Sequence, residues 1–123
     1  MKTISLVKPD DWHLHLRSGP DMRSIVEMSA IQMGRAIIMP NLTPPIINTS
    51  QALAYRAEIM EALPVKSNFS PLMTLYLTDT TTIKDIESAA KEPNIVAIKF
   101  YPAGATTNSQ SGVTSIDKVF PVL

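Results

Sequence analysis

An α/β protein with parallel strands is what this sequence predicts, on three observations. Four short apolar stretches alternate with helical ones along 123 residues. The second to fourth stretches are apolar almost throughout, as strands are when both faces of their sheet are covered. No glycine-rich phosphate turn follows the first, so the nucleotide fingerprint of doubly wound sheets is missing.

The β-branched run 3–9 (TISLVKP) predicts a strand leading into a histidine pair. Residues 21–31 predict a helix. Pro20 and Asp21 suit its first turn, Gly34 stops it, and Ile25, Met28, Ala30 and Ile31 recur at helical spacing. Residues 35–41 (RAIIMPN) form a second predicted strand, closed by Pro40. The clearest helix covers 49–63, with Thr49 or Ser50 as cap, Leu53, Ala57, Met60 and Leu63 along one face, and Pro64 as its end. A third strand over 70–79, a helix over 82–91 capped by Thr81 or Thr82, and a fourth strand over 94–102 follow. Residues 103–114 are small and polar and read as a mobile loop; 115–123 begin another helical pattern.

Two closures suit this rhythm: an open doubly wound sheet, or part of an eight-stranded barrel. A whole barrel needs about 250 residues, so four βα units are about half of one. The chain is read as one unit, 1–123, either a fragment or a chain needing a partner to close its sheet.

Composition narrows the function. Apolar residues make up 45%, enough for a core. Eleven basic residues balance eleven acidic ones, so neither nucleic acid nor a membrane surface is an expected partner, and self-association is not opposed by charge. Cysteine is absent, which excludes disulfides and thiolate metal sites. The opening MKTISLVKPDDW resembles neither a secretory signal nor an anchor, so a cytoplasmic location is expected.

The two histidines of the chain stand together in DDWHLHLR, residues 10–17. On a strand, positions i and i+2 share a face, so His13 and His15 are expected to point together, with Trp12, Leu14 and Leu16 opposite. At the C-terminal end of a barrel strand that shared face looks into the mouth where active sites are built. Two neutral imidazoles so placed can bind one zinc ion; the alternative is a pair of hydrogen-bonded core histidines. Asp10 or Asp11 could orient an imidazole, or simply be solvated. Arg17 can join the same face and suits a carboxylate or phosphate, or it is a surface arginine at a strand end. Asn41, closing the second strand, offers amide groups to a carboxylate or imide, or satisfies its own turn beside Pro44 and Pro45. Lys99 interrupts an apolar strand. Desolvation favours its neutral amine, which can form a Schiff base or take up carbon dioxide as a metal-bridging carbamate; otherwise its head reaches solvent. Thr106, Thr107 and Asn108, between Gly104 and Gly112, could belong to a lid, or to a plain connection.

In order, DDWHLHLR, GRAIIMPNLTPP, SPLMTLYLTD and KFYPAGATTNSQSGVTS resemble the shorter, bacterial-type dihydroorotases of the amidohydrolase superfamily. The resemblance covers nearly the whole chain. H-x-H is superfamily-level, whereas MPNL-x-PP and K-x-YPA-x-ATTNS are far more specific. It implies a zinc-dependent hydrolase with a (β/α)8 barrel and two zinc ions, of which this chain is the first half. It implies reversible conversion of L-dihydroorotate to N-carbamoyl-L-aspartate in pyrimidine synthesis, commonly by a homodimer. By the same resemblance His13 and His15 are zinc ligands, and Lys99 is the carboxylated lysine that bridges both metals. Arg17 and Asn41 hold the substrate carboxylate, with His15 also facing substrate, and Thr106 and Thr107 lie on the loop that closes over it. The family's other histidine ligands and its acid/base aspartate belong to later strands, and Asp79 does not match that aspartate. The 123 residues alone are therefore expected to be inactive. Two other readings stand beside this one: another cyclic-amide hydrolase of hydantoinase or allantoinase type, and a non-catalytic barrel half acting as a binding partner.

Overall fold

The computed structural model describes residues 2–123. Its elements run β1 (Asp10–Leu14), α1 (Met22–Gln32), β2 (Arg35–Ile38), α2 (Thr49–Ala62), β3 (Ser70–Tyr76), α3 (Ile83–Ala90), β4 (Ile95–Lys99) and α4 (Ile116–Val119), then a 3-10 turn over Phe120–Val122. The four strands make one sheet in the order β1-β2-β3-β4, every neighbouring pair parallel. Parallel neighbours in sequence order require each helix to return the chain to the same end of the sheet, as the alternating pattern predicts.

One face of the sheet carries the core. Ala36 and Ile38 of β2, Met73 and Leu75 of β3 and Ile95 of β4 pack with Met22, Val26 and Ala30 of α1 and Ala52, Tyr55 and Ile59 of α2. A second cluster, Leu77, Val113 and Val119, lies beneath the C-terminal strand ends. The other face is open: Ile37, Leu72 and Val96 border a groove of about 230 Å3.

Several local expectations are corrected. Residues 3–9 form no strand, because β2, the only neighbour of β1 among the described residues, begins at Arg35 opposite Asp10 and offers no earlier partner. Trp12 is 73% exposed and does not share the core side of Leu14 and Leu16, because it borders the groove on the open face with Ile37, Leu72 and Val96. In α1 the buried stripe is Met22, Val26 and Ala30, while Met28 and Ile31 are 64% and 71% exposed. The helix has two apolar stripes, and spacing alone does not choose which one meets the sheet. In α2, likewise, Ala52, Tyr55 and Ile59 face inward rather than Leu53, Ala57 and Met60, while Leu63, just past the helix, packs against the core as expected. The cap of α2 is Asn48, whose side chain accepts from the Gln51 N–H at 3.0 Å. Thr82 caps α3 as expected, in a reciprocal box with Asp85. None of the described helices is long and apolar enough to cross a membrane.

Candidate active site

The site is built where strands end. Along β1 the pairing runs Asp11 to Ala36 and then Leu14 to Ile38, so β1 holds one residue more than β2 over that interval. The extra residue is a bulge, and a bulge re-aims neighbouring side chains. Its cause is local: the Asp11 carboxylate accepts the His13 backbone N–H at 2.9 Å. Neither acid orients an imidazole ring. Asp10 instead pairs with Arg35 at the opposite end of the strands.

His13 and His15 follow the bulge with their Nε2 atoms 3.2 Å apart and their ring centroids 5.1 Å apart. Two nitrogens bound to one tetrahedral zinc, each at about 2.0–2.1 Å, stand about 3.3 Å apart. Burial, and then the positive charges of Arg17, His13 and Lys99, hold the His15 pKa below its ordinary value. His15 is therefore neutral through the physiological range, the state a metal needs. The spacing of the pair fits zinc, and His15 carries the protonation a metal needs. Among the described residues no group of three or more His, Cys, Asp or Glu stands close enough to hold an ion, so further donors must be of another kind or from elsewhere.

Arg17 lies beyond His15 with φ 63°, a left-handed backbone that costs a residue with a Cβ about 1–2 kcal/mol. Its carbonyl accepts from the Tyr55 hydroxyl, and its Nη1 donates to the Asn41 carbonyl at 3.3 Å. Asn41 is only 3% exposed, just past β2. Its Nδ2 donates to the Thr107 carbonyl at 3.1 Å, and its own carbonyl also accepts from Asn108 Nδ2 at 3.2 Å. Its Oδ1 is buried with no protein partner, a polar atom that a ligand donor would satisfy.

The connection 103–114 is held by hydrogen bonds within itself and to Tyr76. Ser109 Oγ accepts the Thr106 N–H at 2.8 Å and donates to the Thr106 carbonyl at 2.6 Å. The Tyr76 hydroxyl donates to the Asn108 carbonyl at 3.2 Å, and Asn108 is left-handed at φ 55°. A Cβ at Gly112 would collide with the Tyr101 carbonyl oxygen, so this close approach requires glycine. Thr106 and Thr107 themselves remain exposed.

Lys99 ends β4 opposite Tyr76, half-buried, its Nζ 5.3 Å from the centre of the Tyr101 ring. His13, His15, Arg17, Asn41 and Lys99 thus gather at the C-terminal ends of β1, β2 and β4, and Thr107 and Asn108 reach Asn41. Asp79 stays apart. Its carboxylate accepts from the Thr114 N–H at 2.9 Å, from Thr114 Oγ1 at 2.6 Å and from Lys118 Nζ at 2.8 Å. These donors, Lys118 foremost, hold its pKa at about 2. A carboxyl depressed in the folded state contributes stability above its unfolded value, near 3.8, and loses it as pH falls through about 2. We therefore expect the Asp79 side-chain carbon resonance to be flat between pH 7 and 4 and to titrate near pH 2. A midpoint near 3.8 would mean that the ties to Thr114 and Lys118 do not form.

Reading the residues alone missed Tyr55, Tyr76 and the bulge at Asp11. The first two sit among apolar residues and scan as core. The signal that could have found the bulge is Asp11 itself, two residues before a histidine at a strand end.

Parallel βα units with paired imidazoles and a folded loop at their C-terminal ends define part of a barrel-type α/β fold with a candidate metal site at its mouth. No family model matches the chain. It is 57% identical over all 123 residues to a dihydroorotase of Neisseria meningitidis serogroup C and 54% identical to that of Aromatoleum aromaticum. In both cases it covers 36% of the relative, so the chain spans about a third of the length of the curated relatives it matches. A crystal structure of Campylobacter jejuni dihydroorotase superposes with TM-score 0.85 at 42% identity, over 94% of this chain and 34% of that one. The Saccharomyces cerevisiae enzyme, solved with 5-fluoroorotic acid, gives 0.83 at 31% identity, over 93% of this chain and 31% of that one. The chain therefore matches dihydroorotases along its whole length, as the N-terminal part of them.

Proposed function

We propose that these residues are the first half of a single barrel domain of a zinc-dependent dihydroorotase, which interconverts L-dihydroorotate and N-carbamoyl-L-aspartate. One observation carries the reading: two imidazole nitrogens 3.2 Å apart, beside an arginine held to a buried asparagine. His13 and His15 hold zinc, and Lys99, as its carbamate, is a further ligand. Bound zinc polarises a carbonyl and lowers the pKa of water. The protein's own part is binding and orientation. Arg17 takes the substrate carboxylate, and the orphaned Oδ1 of Asn41 accepts a substrate N–H. Thr106 and Thr107 cover the bound ring and exclude bulk water. 5-Fluoroorotic acid, seen in the yeast relative, is likewise a ring with a carboxylate. The remaining ligands and the acid/base come from sequence that the relatives have and these 123 residues do not, so the segment alone is inactive. The complete enzyme is a cytoplasmic homodimer.

The test is turnover by the protein expressed from its complete reading frame. We expect dihydroorotate to be hydrolysed and plain hydantoin, which has no carboxylate, to be turned over at least about a hundredfold less efficiently, as expected when one charge-assisted hydrogen bond of about 3 kcal/mol is missing. Equal turnover of the two would replace this reading with a hydantoinase-like one, and turnover of neither would end it.

A further inference from the structure

Arg17 is the residue of the site whose backbone is held against its preference. A left-handed φ of 63° on an arginine needs a cause, and α2 supplies one. The Tyr55 hydroxyl donates to the Arg17 carbonyl from the buried face of α2. One helical turn further on, Glu58 Oε1 accepts the Gly19 N–H at 3.2 Å. The turn after β1 is therefore gripped at a carbonyl and at an amide, two residues apart, by a single helix. Gly19 is itself left-handed at φ 91°, and its carbonyl accepts the Met22 N–H at 3.1 Å, which starts α1. Burial raises the Tyr55 pKa well above the ordinary tyrosine value, so the hydroxyl keeps its proton and remains a donor. With the Arg17 carbonyl fixed, the side chain leaves the backbone toward Asn41, where Nη1 finds the carbonyl.

We infer that Tyr55 is a positioning residue: its hydroxyl locks the left-handed backbone of Arg17 and thereby aims the guanidinium at the substrate carboxylate. The inference rests on the role proposed above for Arg17. It also explains why a tyrosine, and not phenylalanine, fills a core position between Ala52 and Ile59, where the ring alone would satisfy packing.

Tyr55→Phe in the complete protein removes the hydroxyl and keeps the ring. We expect KM for dihydroorotate to rise about tenfold with kcat within about twofold, because the hydroxyl serves to orient bound substrate and takes no part in the chemical step. In an Arg17→Ala background the same change should leave kcat/KM unaltered, since the residue through which Tyr55 acts is gone. A crystal structure of Tyr55→Phe should show Arg17 out of the left-handed region. A lower melting temperature with unchanged KM overturns the inference, as do effects of the two substitutions that simply multiply. Should the wild-type protein not turn over dihydroorotate, the function proposed for Arg17 falls, while the backbone of Arg17 in the variant still decides whether Tyr55 is the lock.

Discussion

Replacing His13 with alanine in the complete protein is expected to lower kcat/KM by on the order of a thousandfold and to leave substoichiometric zinc. Lewis-acid stabilisation by a catalytic metal contributes several kcal/mol, and each 1.4 kcal/mol is about a factor of ten. The size of the effect follows from how the pair is built. His13 is exposed and has no ring hydrogen bond except to His15, so its imidazole does little for the fold, and its removal should spare stability. His15, once alone, keeps its depressed basicity but lacks the second nitrogen of the chelate. Metal analysis of the purified variant, beside steady-state kinetics, makes the check. Full metal content with normal kcat/KM would show that the imidazole pair is not a ligand pair.

Leu16→Ala is expected to destabilise the fold by about 2–5 kcal/mol, read as a lower urea midpoint at unchanged slope. Leu16 is completely buried within the principal core cluster and stands between His15 and Arg17. Truncating it removes the transfer energy of the leucine methyls and leaves a cavity where the strand becomes the turn. Against a typical total of about 5–15 kcal/mol, that is a large fraction. Because the same residue anchors its two neighbours, the variant should also bind substrate less tightly at temperatures where it stays folded. A destabilisation below about 1 kcal/mol would mean that the turn after β1 collapses into the space, and Arg17 would then be found in another backbone conformation.

How much of this was legible beforehand depended on the kind of signal. Alternating apolar runs placed three strands and three helices to within a few residues, because period and punctuation are local properties, whereas the first strand was expected over 3–9 and lies at Asp10–Leu14. Faces were less legible. Spacing marks a stripe on α1 or α2, yet the sheet determines which of two stripes is buried: of the expected α1 residues Ala30 is buried, while Ile25, Met28 and Ile31 gave way to Met22 and Val26. At the site, H-x-H, Arg17, Asn41 and Lys99 stood out as chemistry at strand ends, and the structure gathers them in one place. The residues that arrange them did not stand out. Tyr55 acts across 38 positions and Tyr76 across 32, and such distant partners leave no mark on a short window of sequence.

The loop tip touches Asn41 through the carbonyl of Thr107 and is held by Tyr76 through the carbonyl of Asn108. Main-chain atoms thus do the fastening at those two points, which leaves the Thr107 hydroxyl with no duty to the scaffold. Exchanging that threonine for valine or serine should alter how a ligand is greeted without shifting where the tip sits. Tuning of preference among related rings can therefore proceed at this position independently of folding.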